Sequence, residues 1–397
     1  MNTNINSAEK SRIGKYINQV LPKIGTYQAF TPFTFPLEGG FTISPKLYKK
    51  HENAIRLIGK LDGISKLLPD KDFFLLMFIK KDATYSSQIE GTRATFQDAI
   101  AVDVTDDKSK LNPDVDDILH YIKAVNYSID RVKELPPSLR LLKEIHKILM
   151  QGARSTHHAY PGEFRSSQNW IGARLLKDAT FVPPAVSDMR KSLGDLENFI
   201  HADDTYLTLF KAGLIHAQFE TIHPFADGNG RTGRMLIALY LHFTGILDLP
   251  VLYLSSFFNK YKQLYYDNLT KYHDNENGIE AWLDFFIDGV IEVAESSIDT
   301  CDKIIKVRER DLAKTQTLGV ATASTTFKVV QELFKQPIVG IAEVAEWTGY
   351  TNPGAYKMID RLIDLKILEP LGESKYGQKY VYADYYELFD EDFAEKR

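Results

Sequence analysis

Read as a pattern of apolar and polar positions, the chain is mostly helical. An opening arm broken by Pro22, Pro32, Pro36, Gly39 and Gly40 reads as extended. Ser44-Pro45 then opens a helix to about Leu61, with a capping hydroxyl and proline at the first position. A second helix starts at Asp70 and carries the run Phe73 to Ile79, apolar on every side and therefore buried. It continues through Ser86-Ser87-Gln88-Ile89-Glu90 and stops at Gly91, which tolerates the left-handed turn that ends helices. A short helix over Thr95 to Val104 precedes a charged loop at 105–110. Further helical spacing covers Val115 to Glu134, Leu139 to Gln151, a stretch from Ser187 (read as its cap) to about Ala202, and Tyr206 to Ile222. Met235 to Phe243, 256–273 and 278–313 complete this set. One stretch breaks the pattern. Pro161 to Pro184 holds Phe164, Trp170 and Phe181 between glycines and prolines, which predicts a β-hairpin flap.

The last quarter reads differently. Residues 314–325 are rich in Thr, Ala, Gly and Ser and predict a linker. Helices are expected over Thr326 to Phe334, Ile341 to Trp347 and Asn352 to Leu365. Ile367 to Leu371 and Lys379 to Ala383 should pair as strands, which makes a winged helix-turn-helix plan. The expected division is an extension over 1–112 carrying the helix near 70–91, a core over 113–313, the linker, and a terminal domain over 326–397.

Charge and cysteine content narrow the setting. The net charge of −5 gives no argument for nucleic acid or an anionic membrane. A single cysteine, Cys301, excludes an intrachain disulfide framework and a thiolate metal cluster, and fits a reducing compartment. The polar stretch Met1 to Tyr16 has no apolar core of the kind a secretory signal carries, and the run Phe73 to Ile79 is too short to cross a bilayer, so the expected location is cytoplasmic.

The chemistry concentrates in residues 223–234, His-Pro-Phe-Ala-Asp-Gly-Asn-Gly-Arg-Thr-Gly-Arg. Glycines at the start of a helix let backbone N–H groups approach an anion where the dipole favours it. Arg231 and Arg234 are three apart and could share a face and fork onto phosphate oxygens. Asp227 could hold a hard cation such as Mg²⁺, and His223 could act as a base near neutral pH.

These twelve residues closely resemble the signature of the Fic family, H-x-F-x-[D/E]-G-N-G-R-x-x-R, with every fixed position matched: His223, Phe225, Asp227, Gly228, Asn229, Gly230, Arg231 and Arg234. The resemblance extends over about 113–290. It implies a mostly α, Fic-like helical core with a hairpin flap, and transfer of AMP from ATP to Ser, Thr or Tyr hydroxyls of target proteins and of the chain itself. His223 would take the hydroxyl proton and Asp227 would coordinate Mg²⁺. Gly228 to Gly230 would form an anion nest, with Asn229 as an amide ligand. Arg231 would sit towards the β-phosphate and Arg234 at the γ-phosphate, with Thr232 and Gly233 counted in the ATP site. Phe225 would anchor the loop. For the adenine pocket the candidates are Tyr265, Tyr266 and Asn268.

Ser86-Ser87-Gln88-Ile89-Glu90-Gly91 matches [S/T]-x-x-x-E-[G/N], the family's inhibitory helix signature. By that resemblance Glu90 reaches Arg234 in the space the γ-phosphate needs, and Ser86, one turn earlier, steadies it; Gly91 closes the motif. The segment 162–184 resembles the family's target-docking flap, which would register a substrate segment by strand addition. His146, His216 and His242 lie among apolar neighbours and read as core or boundary residues, and His157-His158 are assigned no metal. Residues 321–397 hold nine Lys or Arg against thirteen Asp or Glu, which argues against DNA as the terminal domain's partner and towards protein contact. A homodimer stays open. So do two alternatives to AMP transfer: removal of AMP or transfer of another nucleotide by the same site, and a winged-helix regulator whose core senses nucleotide.

Overall fold

The computed structural model describes residues 13–21, 25–38, 40–104, 112–151, 160–274, 277–372 and 377–389. The charged loop at 105–110 and the His157-His158 pair fall outside the described residues. The described residues group into two compact units. One is drawn from Met1–Gly59, Asp82–Ala94 and Asn112–Ala294, the other from Lys60–Lys81, Thr95–Leu111 and Glu295–Arg397.

The first unit opens on an antiparallel hairpin, β1 (Gly14–Leu21) and β2 (Gly25–Pro32), in register from Gly14 opposite Pro32 to Leu21 opposite Gly25. Gly14 is required: the Phe30 ring lies where a Cβ would stand. Helix α1 (Pro45–Ser65) begins as expected, with Ser44 Oγ accepting from the Leu47 N–H. Helix α2 (Lys71–Ile89) is capped by Asp70 Oδ1 on the Phe73 N–H at 2.6 Å, and α3 (Phe96–Val104) follows. Then come α4 (Val115–Arg131) and α5 (Leu139–Met150), whose cap Ser138 accepts from the Leu141 N–H.

Helices α6 (Val186–His201), α7 (Thr208–Ile222) and α8 (Asn229–Phe243) form the centre. α7 is apolar all round because it is enclosed all round. Its one lysine, Lys211, is buried against Asp204 at 2.8 Å, and Gly213 lets Leu283 and Phe286 pack on its backbone. Helices α9 (Ser255–Lys260), α10 (Lys262–Asp274) and α11 (Gly278–Gln316) complete this part; Trp282 of α11 donates to the Gly213 carbonyl at 2.8 Å.

The second unit joins the last turns of α1, the first half of α2, α3 and the end of α11 to the C-terminal elements. These are α12 (Val320–Leu333), β3 (Ile338–Val339), α13 (Ile341–Thr348), α14 (Asn352–Asp364), β4 (Glu369–Leu371), β5 (Lys379–Val381) and α15 (Ala383–Tyr386). The strands form an antiparallel sheet in the order β3-β5-β4. Phe73, Phe74 and Phe78 of α2 meet Phe389, and Phe73 also meets Tyr385.

The fold class is mostly α, as the sequence predicts. The expected linker is corrected: α11 runs to Gln316 and α12 starts at Val320, leaving Thr317–Gly319 between them. Small residues read as a linker here, yet Thr315 is buried and bonds back to the Leu312 carbonyl at 2.7 Å, as helix interiors allow. The stretch 256–273 is two helices, not one. Ser187 lies inside the first turn of α6, whose cap is Ala185. The two-residue strand β3 was too short for any periodicity to show.

Candidate active site

The loop 223–228 joins α7 to α8. The helix begins at Asn229, six residues before the expected start. His223 caps α7 in the left-handed conformation, φ 47°, which is uncommon for a residue with a side chain. Three contacts fix the loop beyond it. The Phe225 ring is fully buried and stacks on His146 at 3.7 Å. The Asn229 amide accepts from the Phe225 N–H at 2.8 Å and donates to its carbonyl at 2.9 Å. His146 accepts from the Gly162 N–H through Nδ1, so its Nε2–H donates to the Asp227 carbonyl, both at 2.9 Å. Gly228, φ 78°, has Met150 Sδ where a Cβ would lie.

His223 Nδ1 lies 3.3 Å from the Glu220 carbonyl. A carbonyl only accepts, so this contact selects the Nδ1–H tautomer and leaves the Nε2 lone pair available. Burial pushes the imidazole pKa down to about 4, so the ring is neutral at pH 7. Glu220, beside it, is pushed up to about 8 by burial, against the pull of Arg234.

A cavity of about 590 Å³ opens over this loop, lined by Glu90, His223, Asp227, Gly230, Arg234 and Tyr266 among others. Arg234 is almost fully buried. It donates to Ser86 Oγ and the Ser86 carbonyl, each at 2.9 Å, and to Glu90 Oε1 at 2.7 Å. The Glu90 carboxylate sits on Gly230, where any Cβ would displace it. Gly91, φ 97°, turns the chain away. The segment is tied on both sides. Lys262 Nζ donates to the Ile89 carbonyl at 2.6 Å, while Asp114 accepts from the Arg93 N–H at 2.9 Å and Asp117 from the Thr92 hydroxyl at 3.2 Å.

Four expected ligands do not reach the cavity through their side chains. Arg231 points the other way, against Met150 Sδ at 3.4 Å and Asp117 at 3.7 Å. On α8 the cavity face holds Gly230 and Arg234, four apart, and Arg231 is rotated a quarter-turn off it. Thr232 is buried with its hydroxyl on the Gly228 carbonyl at 2.9 Å, and Gly233 packs against Glu220 and Phe219 of α7. Asn229 borders the cavity, but its amide is spent on Phe225. Of the base-pocket candidates, Tyr265 and Tyr266 both line the cavity, and Tyr266 is the exposed one. Tyr265 is buried with its hydroxyl 2.9 Å from His216 Nε2, and Asn268 folds back on the Leu264 carbonyl.

The flap closes on one antiparallel pair, Ile171 with Phe181, around a 3-10 turn at Leu176–Asp178. Gly172 at φ 88° and Pro183-Pro184, which lack N–H donors, stop the ladder from extending. Phe30 of β2 donates to the Val182 carbonyl at 2.8 Å, and Phe181 stacks on His273 at 4.1 Å. Sequence reading missed Arg165 and Asn169 at the flap root, which hold the His223 loop, and Asp82, which accepts from Tyr121 at 2.6 Å beneath Ser86. Among the described residues no group of three or more His, Cys, Asp or Glu side chains is arranged to hold a metal ion. Asp227 offers one exposed carboxylate, with Oδ1 accepting from the Gly228 N–H at 2.6 Å.

Residues 136–241 match the Fic/DOC family, and residues 48–130 match the Fic/DOC family N-terminal region. Among curated relatives, the chain is 29% identical over 156 residues to a protein adenylyltransferase Fic of Culex quinquefasciatus, covering 38% of this chain and 27% of that protein. It is 33% identical over 99 residues to one of Nematostella vectensis, covering 24% of this chain and 20% of that protein. The chain thus spans about a quarter of the length of the curated relatives it matches. The fold is similar to a Fic family protein from Desulfovibrio desulfuricans, with TM-score 0.56 and 17% identity over 86% of this chain and 97% of that one. It is also similar to a Fic domain containing signaling protein from Bacteroides thetaiotaomicron, with TM-score 0.50 and 17% identity over 63% of this chain and 97% of that one. The core that carries His223 and the N-terminal region that carries Glu90 are thus the two parts of the chain that match the Fic/DOC family.

Proposed function

We propose that this chain transfers AMP from ATP to a hydroxyl side chain of a protein, and that Glu90 holds the reaction in check. One observation carries the reading. A neutral histidine with an available Nε2 lines the same cavity as Arg234, and a carboxylate of the chain itself already occupies that guanidinium. The acceptor oxygen attacks the α-phosphorus, its proton passes to His223 Nε2, and the bond to pyrophosphate breaks. Gly228 and Gly230 line the cavity at the start of α8, where the helix dipole favours phosphate. Arg234, freed from Glu90, supplies charge to the terminal phosphate. Tyr266 offers a ring face to the base.

Asp227 would hold Mg²⁺, and a lone carboxylate suits a cation that draws its other ligands from phosphate and water. The ion would offset phosphate charge. The flap would dock a target segment by main-chain pairing. In the C-terminal unit, the order α12, α13, α14 and then a small sheet supports a winged-helix module, and its acidic balance favours a protein partner over DNA. The chain would work in a reducing compartment such as the cytoplasm.

The test is mass spectrometry of the Glu90→Gly protein incubated with each nucleoside triphosphate. AMP adducts from ATP are expected, reduced about 10²–10⁴-fold by His223→Ala. Adducts from another nucleotide would change the substrate, and none at all would remove the reading.

A further inference from the structure

Arg165 is 3% exposed, and among the described residues no carboxylate pairs with it. Burying an unpaired guanidinium is costly, and burial lowers its pKa to about 10. Among the described residues, every hydrogen bond its side chain makes is to a backbone carbonyl. Nε donates to His223 at 3.0 Å, NH1 to Ser167 at 3.2 Å, and NH2 to Pro184 at 2.6 Å and Ile222 at 3.5 Å. Its own N–H donates to the Pro224 carbonyl at 2.8 Å. Asn169 Nδ2 adds bonds to the carbonyls of His223 at 3.2 Å and Phe225 at 3.1 Å. Four successive carbonyls, 222 to 225, are therefore held by two residues of the flap root. Pro184, at the other root of the flap, is held by the same guanidinium.

Satisfying the end of α7 alone would need fewer donors, and any small polar side chain or water could supply them. The arrangement does more. It fixes the left-handed backbone at His223, a conformation that persists only when its surroundings over-determine it. It also ties that backbone to both ends of the segment on which an acceptor would dock.

We propose that Arg165, seconded by Asn169, is a positioning residue that registers the His223 imidazole against the flap, so that one clamp sets both the base and the docked hydroxyl. This rests on the reading of His223 as the base and of the flap as the dock. A lysine cannot replace it, because one ammonium cannot bridge the carbonyls of residues 184 and 223 in a fixed plane.

The experiment uses the full chain carrying Glu90→Gly, with Arg165→Ala, Arg165→Lys or Asn169→Ala added. AMP transfer is followed against ATP concentration, and ATP affinity is measured separately without turnover. Arg165→Ala should lower kcat about 10²-fold, the scale of a misplaced catalytic group, with KM and ATP affinity unchanged. Arg165→Lys should recover little of this, and Asn169→Ala should lose less than Arg165→Ala. A second readout does not need turnover. The ¹⁵N signals of His223 should report the Nδ1–H tautomer in the parent and a mixture in Arg165→Ala. Unchanged kcat in the substituted proteins, or a loss matched by weaker ATP affinity, would overturn the clamp. If the Glu90→Gly parent transfers no AMP, the functional reading fails, and the imidazole spectrum alone decides the clamp, with an unchanged spectrum sinking it.

Discussion

At the scale of single residues, burial sets the chemistry. His223 has its pKa lowered to about 4 and accepts a proton only while neutral. Activity of the Glu90→Gly protein should therefore hold from pH 8 down to about pH 5 and fall through about pH 4, rather than through the pKa of about 6.5 of an exposed imidazole. A rate profile across that range checks it. The two motif arginines should separate as well. Arg234→Ala should weaken ATP binding about tenfold or more, the loss of charge-assisted bonds. Arg231→Leu should leave ATP affinity near that of the parent, and equilibrium binding measures both. The sequence displays which side chains carry charge but not which way a helix is rotated. His223, Asp227 and Arg234 were legible because their chemistry is unusual and local. The orientation of Arg231 was not legible, because three-residue spacing permits a shared face without requiring one. Arg165 was illegible, because its partners are carbonyls, those of His223 and Ile222 more than fifty positions away, and carbonyls leave no mark in a sequence.

At the scale of elements, α2 occupies the Arg234 side of the cavity. Its last turn delivers Ser86 and Glu90 to Arg234, and Lys262 at the start of α10 caps its final carbonyl, that of Ile89. A cation there stabilises the helix end by about 0.3–1 kcal/mol through the dipole, with a charged hydrogen bond in addition. Lys262→Ala should raise basal AMP transfer several-fold, well short of Glu90→Gly, and initial rates of the three proteins compare them. α2 could be read from its run of phenylalanines, its aspartate cap and its terminal glycine. The expected linker at 314–325 could not be resolved, since alanine, serine and threonine suit both a loop and a helix whose burial is decided by distant residues.

At the scale of the whole molecule, three buried histidines and the half-buried His223 make the fold acid-sensitive. His146 and His223 are lowered to about 4, and His216 and His273 to about 3, by burial. Between those values and about 6.5 the unfolded chain binds more protons than the folded one, so stability falls as pH falls. Each contributes up to about 1.4 kcal/mol per pH unit. Glu220, raised to about 8, binds its proton more tightly when folded and offsets about one histidine in that window. Tm should therefore drop steeply from pH 6.5 to 4.5, which a series of calorimetric scans would measure.

The Glu90–Arg234 pair has a thermodynamic side of its own. Arg234 is 4% exposed and paired with Glu90, so removing that carboxylate leaves a buried charge uncompensated until a phosphate takes its place. On the proposed reading, repression and heat resistance are then one quantity, held in one bond. The Glu90→Gly protein should melt below the wild type without nucleotide, and ATP should raise its Tm by the larger increment, because ligand displaces nothing there. On that reading a variant freed from repression would draw more of its stability from its own substrate, and selection for a sturdier protein would favour silence.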